Sequence, residues 1–133
     1  MIETAKKPFQ EVLHALDGFH RLGIVGCDGC AKVCHTGGSD EVAGLAAQLT
    51  EQAKTIIFAA APERPCQAAA AKAALEPLQD RLQACDALLI LGCGLALQII
   101  YYITETLGVA LPLKSGLKTL GPMEMPGSSD PVQ

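Results

Sequence analysis

Tryptophan is absent and aromatics make up 4% of the 133 residues, too few for a platform on which bases could stack. Basic residues are sparse too. Ten Lys and Arg against fourteen Asp and Glu leave a formal net charge of -4, and no basic stripe exists to follow a phosphate backbone. Nucleic acid is therefore not an expected partner. The most apolar stretch, 87–100, is broken by Gly92, Gly94 and Gln98. It falls short of the roughly 20 residues a membrane span requires, so no span is expected. Residues 1–8 hold no apolar core of a secretory signal, and a cytoplasmic protein is the expectation.

Common catalytic signatures are missing as well. Gly92-x-Gly94 lacks the third glycine of a dinucleotide fingerprint, and no phosphate-binding G-x4-G-K-[ST] loop occurs. No G-x-S-x-G elbow is present, and serines are few outside the C-terminal residues.

What the chain does have is a large apolar share, half of its residues, and six cysteines. One compact core can form at this length. In a reducing compartment, clustered cysteines read as ligands before disulfides. Cys27, Cys30 and Cys34 form a C-x2-C-x3-C run directly after the apolar stretch 22–25. Cys93 stands between Gly92 and Gly94, directly after the apolar stretch 87–91. Three thiols on a glycine-containing turn, with a fourth at the end of another strand-like run, suit a metal or iron–sulfur site.

The periodicity predicts an α/β fold: a single three-layer domain over 1–120, with a short parallel sheet and a loose tail over 121–133. A helix is expected over 8–20, with Phe9, Val12, Leu13, Leu16 and His20 on one face. A strand follows at 22–25. Ser39 is the expected cap of a second helix, whose stripe is Val42, Leu45, Ala46, Leu49 and Ala53. A strand at 55–60 leads to an alanine-rich helix from about Cys66, kinked or restarted at Pro77. A third strand spans 87–91, and a helix spans 95–107 with Gly108 at its end. Residues 109–111 read as a short fourth strand, and the chain loosens from about Gly116.

In an open parallel sheet, ligands gather beyond the carboxyl ends of the strands, where the strand order reverses. With a flavodoxin-like order of 2-1-3, Cys27, Cys30 and Cys34 leave the central strand, and Cys66 and Cys93 follow its two neighbours. All five thiols then share one edge. A 4Fe–4S cluster needs one ligand per iron: three from the run and a fourth from Cys93, with Cys66 the rival. Gly29 is expected to curl the chain so that Cys27 and Cys30 face the same centre. Zinc is the competing occupant, since four thiolates also make a closed tetrahedral site. His35 adjoins Cys34 and is a poor additional ligand. Cys30 is followed by Ala31, which excludes a haem attachment motif. Cys85, on an apolar helical stripe, reads as core filling. His14 and His20 read as core-edge or solvated residues, and Asp28 reads as a turn residue.

The segment from Gly26 through Cys27, Cys30 and Cys34 to Val42 resembles the opening motif of the methylenetetrahydrofolate reductase C-terminal domain family. That family includes the small iron–sulfur subunit of the acetogen-type reductase. Ala61-Pro62 with Cys66, and 89–94 with Gln98, resemble its later motifs. The resemblance spans about residues 20–115. It implies a cluster-holding protein of one-carbon metabolism that passes electrons to or from a flavoprotein reductase subunit or another redox protein. Carried over by motif, Cys27, Cys30, Cys34 and Cys93 are the candidate ligands, with Cys66 also at a family cysteine position. Longer members carry a further cysteine cluster near the C-terminus. Residues 121–133 contain no cysteine, so a second centre has no ligands here.

Three functions follow in order. The first is an electron-transfer accessory subunit, not catalytic alone, with self-association left open. The second is a structural zinc scaffold or interaction module. The third is a stand-alone thiol enzyme with Cys27 or Cys93 as nucleophile.

Overall fold

A computed structural model of the chain describes residues 2–122. Four parallel strands form the central sheet: β2 (Arg21–Gly26), β3 (Thr55–Ala60), β4 (Ala87–Leu91) and β5 (Leu113–Ser115), in the order β3-β2-β4-β5. The first three thus stand in the 2-1-3 order expected from the sequence. β4 is buried along its whole length, which explains its unbroken apolar run: both faces of a parallel sheet are covered.

Helices supply those covers. α1 (Phe9–Ala15) and α3 (Ser39–Glu51) pack on one face, where Val12, Leu16, Ile24, Leu49, Leu89 and Leu91 share a core. α4 (Ala68–Leu75), α5 (Gln79–Gln83) and α6 (Gly94–Thr106) cover the other, around Val25, Phe58, Leu75, Leu82, Leu88 and Ile100. Pro77 lies in a 3-10 turn, Glu76–Leu78, that separates α4 from α5. The helix restarts there, as the missing proline N–H requires. Gly108 follows α6 at φ +78°, a conformation a glycine adopts without a Cβ penalty.

Five expectations are corrected. The first helix ends at Ala15 rather than at 20, because the chain turns through Gly18 at φ +85°. His20 is outside that helix and exposed. Ala53 is not on the α3 stripe: the helix ends at Glu51, and Ala53 is exposed at φ +63°. The residue before α3 is Gly38, not Ser39; its N–H donates to the Glu41 carboxylate at 3.0 Å. The fourth strand is Leu113–Ser115 instead of 109–111, since Leu88 N–H donates to the Pro112 carbonyl and register begins beyond it.

The fifth correction concerns the chain's ends. β1 (Ile2–Lys6) and β6 (Leu117–Pro122) pair antiparallel in a second, two-stranded sheet. The chain therefore does not loosen at Gly116, and Gly121 and Pro122 of the expected tail pair with Glu3 and Ile2. The rest of that tail, 123–133, lies outside the described residues.

Cys85 is buried and its Sγ donates to the Arg81 carbonyl at 3.3 Å. Burial, with Asp86 adding to it, pushes this thiol up to about 11. In the unfolded chain it ionises near about 8.5. Between those values the unfolded state loses a proton that the folded state keeps, so stability falls as pH rises through that window. Cys85→Ala is expected to flatten this alkaline loss, as checked by denaturant midpoints from pH 8 to about 11.

Candidate functional site

β2 ends in Gly26, and Cys27 follows it, buried at 7% exposure. Two backbone hydrogen bonds fix the turn that begins there. Cys27 N–H donates to the Gly37 carbonyl at 2.7 Å, and Asp28 N–H donates to the Pro62 carbonyl at 2.8 Å. The loop leaving β2 is thereby held both to the approach to α3 and to the loop leaving β3. Glycines allow this closeness. A Cβ on Gly26 would overlap the Gly37 carbonyl oxygen, and one on Gly37 would overlap the Leu91 carbonyl oxygen.

A short helix, α2 (Cys30–Val33), follows Gly29, with Cys34 closing it. The expected reason for Gly29 is corrected here. Its φ is -116°, so left-handed curling is not involved. A Cβ there would overlap the Glu63 carbonyl oxygen, so close approach of the β3–α4 loop demands glycine. That carbonyl also stands 3.8 Å from Cys27 Sγ as a weak acceptor.

Cys27 thus touches the loop that carries Cys66. On its other side, a Cβ on Gly92 would lie 3.8 Å from the Cys27 Cβ, and Cys93 is the residue that opens α6. Burial pushes the Cys66 thiol up, and Cys93, Cys27 and Cys30 push it in the same direction. Cys27 and Cys30 follow β2, Cys66 follows β3 and Cys93 follows β4, so these thiols share the carboxyl edge of three adjacent parallel strands. Cys34 lies one helical turn beyond Cys30, on the same side.

The four outer thiols, Cys30, Cys34, Cys66 and Cys93, are half-buried. Among the described residues, no three His, Cys, Asp or Glu side chains are gathered closely enough to hold one metal ion together. The thiols stand on separate turns around the rim. As donors they are uniformly soft, the character that iron–sulfur and zinc sites share. The nearest carboxylate in sequence is occupied elsewhere. Asp28 Oδ1 accepts the Ser39 N–H at 3.1 Å and the Ser39 hydroxyl at 3.2 Å, while Lys32 Nζ is 3.8 Å from Oδ2. The Ser39 N–H is the main reason its pKa is lowered. Asp28 therefore anchors the thiol loop to the start of α3. His35 is exposed at φ +56°, just past α2.

Three supports of the rim were not apparent in the sequence. The Gly94 N–H donates to Thr119 Oγ1 at 2.9 Å, tying the Cys93 turn to β6. The Thr36 hydroxyl donates to the Ala31 carbonyl at 3.2 Å, so the 2.6 Å contact with Thr4 Oγ1 makes Thr4 the donor. Both threonines are buried. Polar residues opposite one another in distant segments leave no local pattern. Thr36→Val is expected to strand the Thr4 hydroxyl and cost about 1–3 kcal/mol, measured by denaturant unfolding. Thr4→Val added to it should recover part of that loss.

A cleft of about 400 Å³ between α1 and α3 borders none of the cysteines. No helix among the described residues is long and apolar enough to cross a membrane. Comparison with protein-family models, with curated proteins and with solved structures returned no match.

Proposed function

We propose that this chain is an iron–sulfur electron-transfer accessory protein, of the kind its cysteine run resembles. It would hold one 4Fe–4S cluster and exchange electrons with a flavoprotein reductase subunit or another redox protein. The observation that carries this reading is that Cys27 and Cys30, Cys66, and Cys93 follow the carboxyl ends of three adjacent parallel strands. A cluster takes one thiolate per iron and bridges a wider gap than a single ion, which suits thiols on separate turns.

Cys27, Cys30 and Cys93 are ligands in this reading. The fourth place goes to Cys66, on the loop whose Glu63 carbonyl lies 3.8 Å from Cys27 Sγ, ahead of Cys34 at the far end of α2. When bound, such a cluster supplies a one-electron couple tuned by burial and hydrogen bonding. The chain's own groups do the rest. Cys27, buried beneath the rim, keeps water from its inner side. Cys93 opens a 13-residue helix, whose N-terminus favours a negative charge. Burial and the neighbouring thiols push the Cys66 thiol up, and a cationic centre reverses that penalty.

The outer thiols reach the surface beside exposed apolar residues: Val33 precedes Cys34, and Leu95 follows Cys93 by two positions. A redox partner seated there would approach the centre closely. The test is metal and acid-labile sulfide analysis of protein prepared without oxygen. About four iron and four sulfide per chain are expected. Stoichiometric zinc without sulfide would overturn the reading in favour of a structural zinc scaffold.

A further inference from the structure

The cleft between α1 and α3 is lined by none of the thiols, and its walls carry opposite charges. Lys6 and Lys7, at the end of β1, line one wall with Phe9; Asp40 and Glu41, in the first turn of α3, line the other. Leu91 and Leu117 also line it and contribute apolar surface, Leu117 beside its strand partner Lys6. None of the ion pairs among the described residues joins the two walls. Glu41 spends one carboxylate oxygen on the Gly38 N–H, which fixes where its charge stands. At about 400 Å³, the cleft falls in the size range of small-molecule sites.

Gly44 supplies an independent observation. It lies inside α3, where glycine is the least favoured residue after proline. No positive φ requires it, and a Cβ built there would meet nothing within 4 Å. Packing and backbone conformation therefore give no reason for glycine at this position. What it borders is the cleft, which a larger side chain would fill.

We propose that this cleft binds a small zwitterion with an apolar body, of the amino-acid or dipeptide class. Its acidic group pairs with Lys6 and Lys7, its ammonium pairs with Asp40 and Glu41, and its apolar side chains lie against Phe9 and Leu117. Charges on opposed walls select a ligand carrying both signs, because either charge alone leaves one wall unanswered.

Calorimetric titration of the full chain with leucyl-leucine, N-acetyl-leucyl-leucine and leucyl-leucine amide separates the contributions. These carry both charges, only the negative and only the positive on the same body. Leucyl-leucine is expected to bind at least about tenfold more tightly than either blocked form. Gly44→Leu is expected to weaken it by at least about tenfold with an unchanged or higher melting temperature. Lys7→Gln, which leaves α3 untouched, should erase the advantage of leucyl-leucine over its amide. Absence of saturable binding, equal binding of all three peptides, or full affinity in Gly44→Leu would each overturn the proposal. None of these outcomes depends on the metal content of the rim.

Discussion

Gly37→Ala is expected to cost about 3 kcal/mol of stability, an unusually large loss for one added methyl. The reason is that the closest neighbour is backbone, with the Ala31 Cβ also tight at 3.0 Å. The Gly37 carbonyl accepts the Cys27 N–H at 2.7 Å, while an alanine Cβ would be driven into the carbonyl oxygen of Leu91. A side-chain neighbour could rotate away; here the ends of β2 and β4 must separate. Leu91 leads directly into Gly92 and Cys93, so the same movement parts Cys93 from Cys27. Gly44→Ala gives the matching control. Its added methyl meets nothing, and the change should stabilise the chain by up to about 1 kcal/mol through helix propensity. Denaturant midpoints at fixed m-value measure both. A Gly37→Ala protein as stable as the parent would mean that the two strand ends are not held by this contact.

The elements that were legible in the sequence are those whose signal is local. Residues 87–91 read as a strand because both faces of β4 are covered and no polar residue interrupts it. α3 and α6 read as helices from their apolar spacing, with charge in the first turn of α3 and Gly108 beyond α6. From alternating strands and helices, the parallel sheet and its 2-1-3 core followed. That order places Cys27, Cys30, Cys34, Cys66 and Cys93 beyond the carboxyl ends of three adjacent strands, at one edge.

The elements that were not legible depend on partners far along the chain. β1 buries only Thr4 fully, and β6 only Leu117. Neither segment would read as a strand alone; they become one by pairing across about the whole length of the fold. Gly29 shows the same limit at a single position. A glycine in a turn suggests backbone freedom, yet the constraint is the Glu63 carbonyl from a different loop. Cys66 and Cys34 are also separated only in space, since spacing alone makes Cys34 part of the run and leaves Cys66 isolated.

That separation makes the thiol series the sharpest test of the site. Serine keeps the size of cysteine but offers a hard hydroxyl that stays protonated, so it replaces a thiolate ligand poorly. In protein prepared without oxygen, Cys66→Ser and Cys93→Ser are each expected to fall from about four bound iron per chain to one or fewer. Cys34→Ser is expected to keep most of its iron, because the fourth place is assigned to Cys66, on the loop whose Glu63 carbonyl lies 3.8 Å from Cys27 Sγ. Cys85→Ser should keep all of it, since that thiol is turned to the Arg81 carbonyl within the core. Circular dichroism on each variant distinguishes a lost ligand from a lost fold. Iron lost from Cys34→Ser and kept in Cys66→Ser would reverse the assignment of the fourth ligand. Iron kept in both Cys66→Ser and Cys93→Ser would mean that the rim is not where the centre is held.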